Sequence, residues 1–317
     1  MIRFATLLFA LSIFGSASAQ ETDLKIIVIV GAGGTDEYEE EFAKTALVWS
    51  EAAERGGARF ELIGGEVDSD NDAKVLQESL ANTDARELWL ILIGHGSYDG
   101  RVAKFNARGP DFTGEDLAGW LEKYKGELVV INTASASGSF IEDLAKPERI
   151  VITATKNEAE ISYTRFGKYF AEAIAGKPEA DLDNDDQVSL LEGFLFSADR
   201  VAKFYEAENR IATEHALIDD DGDALGSRSE WFVGVNATQA PTKEAEFDGE
   251  RAAQKVLIKN AFERQLTNEQ RKSRDNLELK VKDLRRNKAD FDEDDYYSQL
   301  EALLLELATI YRDVGKS

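Results

Sequence analysis

The chain has 317 residues, 43% of them hydrophobic, with a formal net charge of −24, two histidines and no cysteine. So acidic a surface repels phosphate backbones, which argues against a nucleic-acid partner, and it favours cations such as calcium. The absence of cysteine excludes disulfides and a thiol nucleophile, and two histidines give little support to a transition-metal site.

The first 19 residues have the pattern of a secretory signal peptide. Arg3 supplies a positive charge, residues 4–14 form a short apolar run, and Ala-Ser-Ala at 17–19 is a small-residue cleavage motif. A membrane anchor is the weaker interpretation because about eleven apolar residues are too few for a bilayer core that needs roughly 20. We therefore expect a periplasmic or secreted protein with no membrane span after signal cleavage.

Residues 20–176 alternate between apolar strands and amphipathic helices, which is typical of a parallel sheet with helical crossovers. The predicted strands are 25–30, 59–63, 87–93, 127–131 and 149–153, and the predicted helices are 36–55, 72–80, 114–124 and 163–175. The sequence therefore predicts an α/β domain with a mainly parallel sheet over 20–176.

Glycines follow the first predicted strand, in the run Gly-Ala-Gly-Gly at 31–34. Glycines at this place can let a phosphate approach a helix terminus. Asp36 occupies the third-glycine position of the dinucleotide-binding pattern, however, and no Gly-Lys-Ser/Thr follows. The run is better interpreted as a tight turn.

Two neighbouring apolar runs end in small and polar residues that could carry chemistry. The strand at 87–93 leads into Gly-His-Gly-Ser, which contains His95 and Gly96, and the strand at 127–131 leads into the segment around Ser135. Because the carboxyl ends of neighbouring parallel strands face one crevice, the histidine and the hydroxyl could meet there as base and nucleophile.

These residues resemble the two motifs of the legumain-like and caspase-like peptidases, of clan CD type. In those enzymes a His-Gly motif follows one strand, as at 95–96, and the catalytic cysteine follows the next strand in a run like Ala-Cys-x-Ser-Gly-Ser. The run here is Ala-Ser-Ala-Ser-Gly-Ser at 134–139, so Ser135 replaces the cysteine. The likeness covers roughly residues 25–174.

The resemblance implies a caspase-like three-layer α/β/α sandwich and hydrolysis of peptide bonds in a peptide or protein substrate. It implies that His95 acts as base, that Ser135 holds the nucleophile position, and that the backbone amides of Gly96 and Ser135 bind the oxyanion. Thr133 stands where legumain-type enzymes carry a glutamate that helps bind asparagine, so asparaginyl specificity does not transfer.

Serine is harder to activate than cysteine, because its proton must leave in concert with attack and the base usually needs an orienting third group. Asp99 or Glu142 could orient His95. The other interpretation is that the crevice has kept its shape and lost its reaction. The protein would then be a non-catalytic, calcium-stabilised binding or scaffold protein of the cell envelope.

An acidic region follows at 177–236, and its first loop matches a calcium-binding EF-hand loop. The candidate ligands at positions 1, 3, 5, 7 and 12 of that loop are Asp181, Asp183, Asp185, Gln187 and Glu192. Position 6 is Asp186 instead of the usual glycine, so this residue would have to adopt a left-handed conformation. The alternative is an acidic helix-start loop in which Ser189 caps the helix.

The same region contains three weaker features. Asp219, Asp221 and Asp223, with Glu230 eleven residues after the first of them, form a fainter echo of the calcium pattern. A turn with unpaired acids is an equal interpretation. His215 lies far from the peptidase-like motifs and is expected to be structural or on the surface, and the apolar run at 230–235 suggests another strand.

The last part of the chain has a different composition. Residues 237–243 read as a linker, and 244–317 are rich in Glu, Lys, Arg and Leu without proline, which predicts a C-terminal helical hairpin. Apolar residues recur at helical spacing at 300, 303, 304, 307 and 310. The hairpin is expected to pack on itself or on the sheet domain, with a partner-binding coiled coil as the alternative.

Overall fold

The computed structural model describes residues 23–65, 70–243 and 245–314. The signal peptide at 1–19 lies outside the described residues and stays a prediction. Among the helices within those ranges, none combines the length and the apolar character that a bilayer crossing requires.

The described strands form one large sheet and two small ones. In chain order they are β1 (Leu24–Val30), β2 (Arg59–Ile63), β3 (Glu87–Ile93), β4 (Gly96–Tyr98), β5 (Ala103–Phe105), β6 (Phe112–Thr113), β7 (Glu127–Asn132), β8 (Arg149–Thr153), β9 (Leu217–Asp219), β10 (Ser227–Arg228), β11 (Phe232–Val233) and β12 (Asn236–Ala237). The large sheet has the order β10-β9-β8-β7-β3-β1-β2, while β4-β5-β6 and β11-β12 form the small sheets.

The large sheet is parallel from β2 to β8, and β9 pairs antiparallel with β8 on one side and with β10 on the other. Its central strands are almost wholly apolar and buried, as expected for strands covered on both faces. β3 and β7 pair in register from Glu87 opposite Glu127 to Leu92 opposite Asn132. The segments that follow these two strands therefore leave the same edge of the sheet side by side.

The described helices are α1 (Asp36–Gly56), α2 (Asp72–Ala81), α3 (Gly114–Trp120), α4 (Phe140–Leu144), α5 (Phe166–Ile174), α6 (Leu190–Ala207), α7 (Asn268–Arg286) and α8 (Glu293–Val314). The first six cover both faces of the large sheet. One buried cluster joins the sheet to α1, α5 and α6, and a second joins its other face to α2, α3 and α4. The predicted three-layer α/β/α sandwich is confirmed.

The predicted strands of 20–176 agree with the observed ones within one residue, but the segment at 230–235 does not join the large sheet. It forms a single 3₁₀ turn at Ser229–Trp231 and the two-residue β11, which pairs only with β12. Gly234 has a φ of 57° between these two strands. A tight local hairpin therefore replaces the predicted strand.

The predicted hairpin helix does not begin at residue 244. Residues 245–266 contain only short 3₁₀ turns, and their Ala252 and Leu257 are buried in the cluster that includes α1, α5 and α6. The buried Asp220 carboxylate accepts hydrogen bonds from the backbone N–H groups of Gly249, Arg251 and Ala252. These N–H groups therefore donate to a side chain and not to the carbonyl oxygens that they would bind in a helix, although the local composition favours a helix.

The first hairpin helix, α7, begins after Thr267, which forms a capping box with Gln270. α7 packs against α8 through Leu277, Val281 and Leu307, and the Gln254 side chain donates to the Asp275 carbonyl. The hairpin therefore packs on itself and on the segment that precedes it. The division of the chain at 237–243 stays a prediction.

Candidate active site and calcium loops

His95 lies between β3 and β4, half-buried against aromatic rings. The centroid of its ring is 4.7 Å from that of Tyr38, 5.2 Å from that of Phe42 and 6.1 Å from that of Tyr163. Burial lowers the pKa of His95, and a hydrogen bond to the Gly33 backbone opposes this shift only in part. The ring is therefore neutral at pH 7, which is the form that can accept a proton.

Ser135 follows β7 and lies directly against the His-Gly segment. A Cβ atom on Gly96 would stand 2.0 Å from the Ser135 carbonyl oxygen, so only glycine allows this approach of the two backbones. The next residue, Ala136, has a left-handed φ of 53° and donates its N–H to the Glu160 carbonyl at 2.8 Å. Such a conformation is costly for a non-glycine residue and is found preferentially at functional sites.

Ser135 is 3% exposed, yet within the described chain neither its N–H nor its hydroxyl makes a hydrogen bond. The hydroxyl groups two residues before and two residues after Ser135 are, by contrast, hydrogen-bonded. The Thr133 hydroxyl donates to the Leu92 carbonyl at 2.7 Å, and the Ser137 hydroxyl accepts from two backbone N–H groups after β8. Within the described residues, Ser135 thus has a donor and an acceptor without a hydrogen bond, and its backbone lies against that of Gly96, the residue after His95.

The carboxylates that the sequence suggested as orienting groups do not contact His95 anywhere in the described ranges. Asp99 accepts from the backbone N–H groups of Arg101 and Val102, closing its own turn. Glu142 lies on α4. Neither acid therefore orients the ring among the described residues, and the backbone group that acts on the pKa of His95 is that of Gly33, in the glycine run at 31–34.

The second histidine is held by an acid from the segment after β8. The Glu160 carboxylate lies 2.5 Å from His215 Nδ1 and accepts the His215 backbone N–H at 3.1 Å. Because the Glu160 carbonyl also binds Ala136, this residue connects the histidine to the segment around Ser135. The structural role expected for His215 is in line with these contacts.

Glu214 is a buried carboxylate that the sequence did not single out. It is 2% exposed and accepts from the backbone N–H groups of Arg165 and Phe166 at the start of α5, and from the Tyr205 hydroxyl. Burial raises the pKa of Glu214 to about 7. With His215 and Glu230 it lines a cavity of ≈ 130 Å³ whose other walls are mainly alanine.

The first acidic loop brings three predicted calcium ligands together. Carboxylate oxygens of Asp181, Asp183 and Asp185 lie within 4.8 Å of one another, and Asp186 has the left-handed φ of 66° that the loop requires. Partial burial, followed by the charges of Glu192 and the other two acids, raises the pKa of Asp183 to about 6. Crowded carboxylates of this kind fit the hard oxygen ligands that calcium prefers.

Of the other two predicted ligands, Glu192 is engaged through its carboxylate, whereas Gln187 was expected to contribute its backbone carbonyl and is engaged through its side chain and its N–H group. The Glu192 carboxylate accepts from Ser189 in a capping box at the start of α6, and its second oxygen accepts from the N–H groups of Leu182 and Asp183. The Gln187 side chain binds Asp185 and Asn260. The Ser189 cap of the alternative interpretation is therefore formed, and the Glu192 carboxylate still faces the loop.

The second acidic loop also gathers its acids. Carboxylate oxygens of Asp219, Asp221 and Asp223 lie within 4.8 Å of one another. Asp219 is fully buried and accepts from two loop N–H groups, and burial raises its pKa to about 7. Glu230 lies on an exposed 3₁₀ turn beside the Glu214 cavity and does not belong to this group.

No family model and no curated protein sequence matches this chain. Among solved structures, the chain is similar to the Drosophila initiator caspase Dronc, with a TM-score of 0.41 and 11% identity over 64% of this chain and 81% of that one. It is also similar to caspase-1 from Spodoptera frugiperda, with a TM-score of 0.42 and 11% identity over 63% of this chain and 87% of that one.

Proposed function

We propose that this protein is an exported peptidase-like hydrolase in which His95 is the base and Ser135 the nucleophile. The observation that carries the proposal is the unused hydrogen-bonding capacity of Ser135 beside the neutral His95. Ser135 is 3% exposed as a residue, and its hydroxyl oxygen is not one of the buried side-chain atoms that lack a partner, so a small ligand group can still reach it. The signal-peptide pattern of residues 1–19 supports export.

The proposed reaction follows the chemistry of acyl transfer. His95 takes the proton of the Ser135 hydroxyl as its oxygen attacks the substrate carbonyl, and later gives that proton to the leaving amine. Water then attacks the acyl-enzyme with His95 again as base. The N–H groups of Gly96 and Ser135 are the proposed donors to the oxyanion.

The test is cleavage of a diverse peptide library by the purified mature protein and by its His95→Ala, Ser135→Ala and Ser135→Cys variants. We expect cleavage by the parent and its loss in both alanine variants. Ser139→Ala and His215→Gln are matched controls that should cleave as the parent does. A parent that cleaves nothing, or a Ser135→Ala variant that cleaves normally, contradicts the proposal.

A second candidate function rests on the first acidic loop. Its three grouped carboxylates and left-handed Asp186 support a calcium-stabilised binding or scaffold protein whose crevice holds a peptide without cleaving it. Activity that appears only in Ser135→Cys would favour this candidate, because the site would then be intact except for its nucleophile.

Calcium binding itself is tested by calorimetry and thermal melts of the parent, Asp183→Asn and the control Asp199→Asn, whose acid pairs with Lys203 on exposed α6 surface. A ligand at a hundred times its Kd stabilises the folded state by about 2.7 kcal/mol. We expect calcium to raise the melting temperature of the parent and the control but not of Asp183→Asn. No heat of binding at millimolar calcium contradicts the candidate.

A further inference from the structure

The Glu214 cavity lies at the edge of the large sheet where β8 ends and β9 begins. Ala154 follows β8, and Ala216 precedes β9. Phe166 at the start of α5 and three residues of α6 contribute further walls. In open α/β sheets, ligands bind outside the carboxyl ends of the strands, and the proposed hydrolysis uses none of the residues that line this cavity.

The size and the walls of the cavity limit what it can hold. It measures ≈ 130 Å³, and five alanines, Val201 and Phe166 make most of its lining apolar. A cavity of about 150 Å³ is large enough for benzene, whereas pockets for drug-sized ligands begin at about 300 Å³. The cavity is therefore suited to one short aliphatic group.

Besides His215, three polar residues line the cavity, and all three can accept hydrogen bonds. They are Glu214, Ser229 and Glu230, and the described lining residues include no lysine or arginine. Glu214 is 2% exposed and accepts three hydrogen bonds, of about four that a carboxylate can accept. Within the described ranges, the Ser229 hydroxyl and the Glu230 carboxylate make no hydrogen bond. The two acids therefore line the cavity without a cation that pairs with them there.

The basic groups near the cavity are engaged elsewhere. His215 Nδ1 lies 2.5 Å from the Glu160 carboxylate, which fixes this ring as part of the wall. Arg165 acts electrostatically on Glu214, but its guanidinium lies 4.0 Å from the Phe204 ring centroid and does not line the cavity. Space for a positively charged group is therefore left beside the two acids.

We propose that the Glu214 cavity binds a primary alkylammonium group, with the alkyl chain against the alanines and the three N–H donors toward Glu214, Ser229 and Glu230. An ammonium group has three donors and no acceptor, which matches a site that offers acceptors. The net charge of −24 also attracts cations to the protein. A free small amine and a lysine side chain of a peptide both supply such a group. The proposal goes beyond the proposed hydrolysis and does not depend on it.

The test is calorimetric titration of the full mature chain with n-butylammonium, whose chain matches a lysine side chain in length. It is carried out at pH 8, above the pKa of about 7 to which burial raises Glu214, so that both acids are ionised. 1-Butanol is the neutral probe of matched length. We expect millimolar butylammonium to bind at one site and 1-butanol not to bind. No binding of butylammonium, or equal binding of 1-butanol, overturns the proposal.

Nα-acetyl-lysine N-methylamide separates the two sources of the group. Binding comparable to that of butylammonium would assign the cavity to a lysine side chain of a peptide. Binding of butylammonium alone would assign it to a free amine, because the backbone of the lysine derivative would then prevent entry. Both outcomes support recognition of an alkylammonium group.

Charge-removing variants test the acids. Glu214→Gln and Glu230→Gln each keep an acceptor, and we expect each to weaken butylammonium binding roughly 10-fold, as the loss of one charge-assisted hydrogen bond does. Glu206→Gln is the matched control, since Glu206 is exposed on α6 and does not line the cavity. Parent-like binding by both cavity variants, or equal weakening in the control, overturns the proposal. Glu230 lies on an exposed 3₁₀ turn, so its variant decides the result if Glu214→Gln does not fold.

A second pair of variants tests the location. Ala198 lines the cavity from α6, so Ala198→Leu would fill the space that the alkyl chain needs and should abolish butylammonium binding. Ala207→Leu is the control, because Ala207 is exposed at the end of the same helix and lies outside the cavity lining. Circular dichroism checks that each variant is folded. Parent-like binding by folded Ala198→Leu would place the amine elsewhere and overturn the proposal.

Discussion

The segment after β7 at 133–139, the crevice segment, and the loop at 181–192, the acidic loop, both present polar side chains but use them differently. In the acidic loop, Asp181 accepts from the N–H groups of Asp185 and Asp186, and Glu192 accepts from both ends of the loop. In the crevice segment, Thr133 and Ser137 have partners and Ser135 between them has none.

The comparison teaches that charge density is a poor guide to which polar groups in this protein are left without a hydrogen bond. The acidic loop has most of the charge, but its carboxylates largely organise their own backbone. The crevice segment carries no charge, yet among the described residues its Ser135 hydroxyl makes no hydrogen bond, whereas the Thr133 and Ser137 hydroxyls on either side of it do.

The largest effect on stability is expected from Gly96→Ala, which would disrupt the packing of the crevice segment against Gly96. The new methyl group would stand 2.0 Å from the Ser135 carbonyl oxygen, and backbone cannot yield as a side chain can. We expect the free energy of unfolding in denaturant to fall by about 3 kcal/mol or more. Gly119→Ala on α3 is the control, because nothing lies within 4 Å of the added atom. Equal stability of the two variants would contradict the observed packing.

Glu214→Gln sharpens the comparison because it tests how burial alone changes the pKa of a carboxyl group. Glu214 is buried, but it is not surrounded by other acids as the carboxyl groups of the acidic loop are. Folding raises its pKa from 4.5 to about 7, so the folded state binds the proton more tightly. Stability from this group is therefore present below pH 4.5 and is lost as the pH rises through 7. The loss is on the order of 3 kcal/mol.

Glutamine can still accept from the N–H groups that Glu214 binds at the start of α5. We therefore expect the variant to lose less stability than the parent between pH 4 and pH 8, as measured by unfolding in denaturant at each pH. Identical pH dependence in the parent and the variant would mean that burial of Glu214 does not perturb its ionisation.

The smallest effect comes from a pair of variants within the crevice segment. Ser137→Ala leaves the backbone N–H groups of Ala154 and Thr155 without their acceptor and should cost about 1–3 kcal/mol. Ser135→Ala removes no hydrogen bond and should change stability by less than about 0.5 kcal/mol. Thermal and denaturant unfolding of both variants would measure the difference, and an equal cost would remove the distinction between the two serines.

The sequence was sufficient for the elements whose patterns are local. The runs at 59–63, 87–93 and 149–153 are short, apolar and bounded by turn residues, so their strands could be located without tertiary information. The same local patterns in the large sheet placed His95 and Ser135 at the ends of neighbouring strands.

The features that could not be predicted from the sequence depend on contacts between residues that are far apart in the chain. The run after residue 244 has the composition of a helix, but Asp220, which is remote in sequence, captures its N–H groups. The group that opposes the lowering of the His95 pKa is likewise a backbone group, that of Gly33, which no side-chain pattern can reveal. Asp99 was a reasonable candidate by type and was excluded only by its own turn.

Lys255 connects the segment before the helical hairpin to the large sheet. Its ammonium group pairs with Glu87 at 3.3 Å and with Glu127, the registered pair at the amino ends of β3 and β7. The same two strands carry His95 and Ser135 beyond their other ends. Lys255 therefore attaches the segment before the helical hairpin to the amino ends of the two strands whose carboxyl ends lead into His95 and Ser135, so a shift of that segment would act on both strands at once.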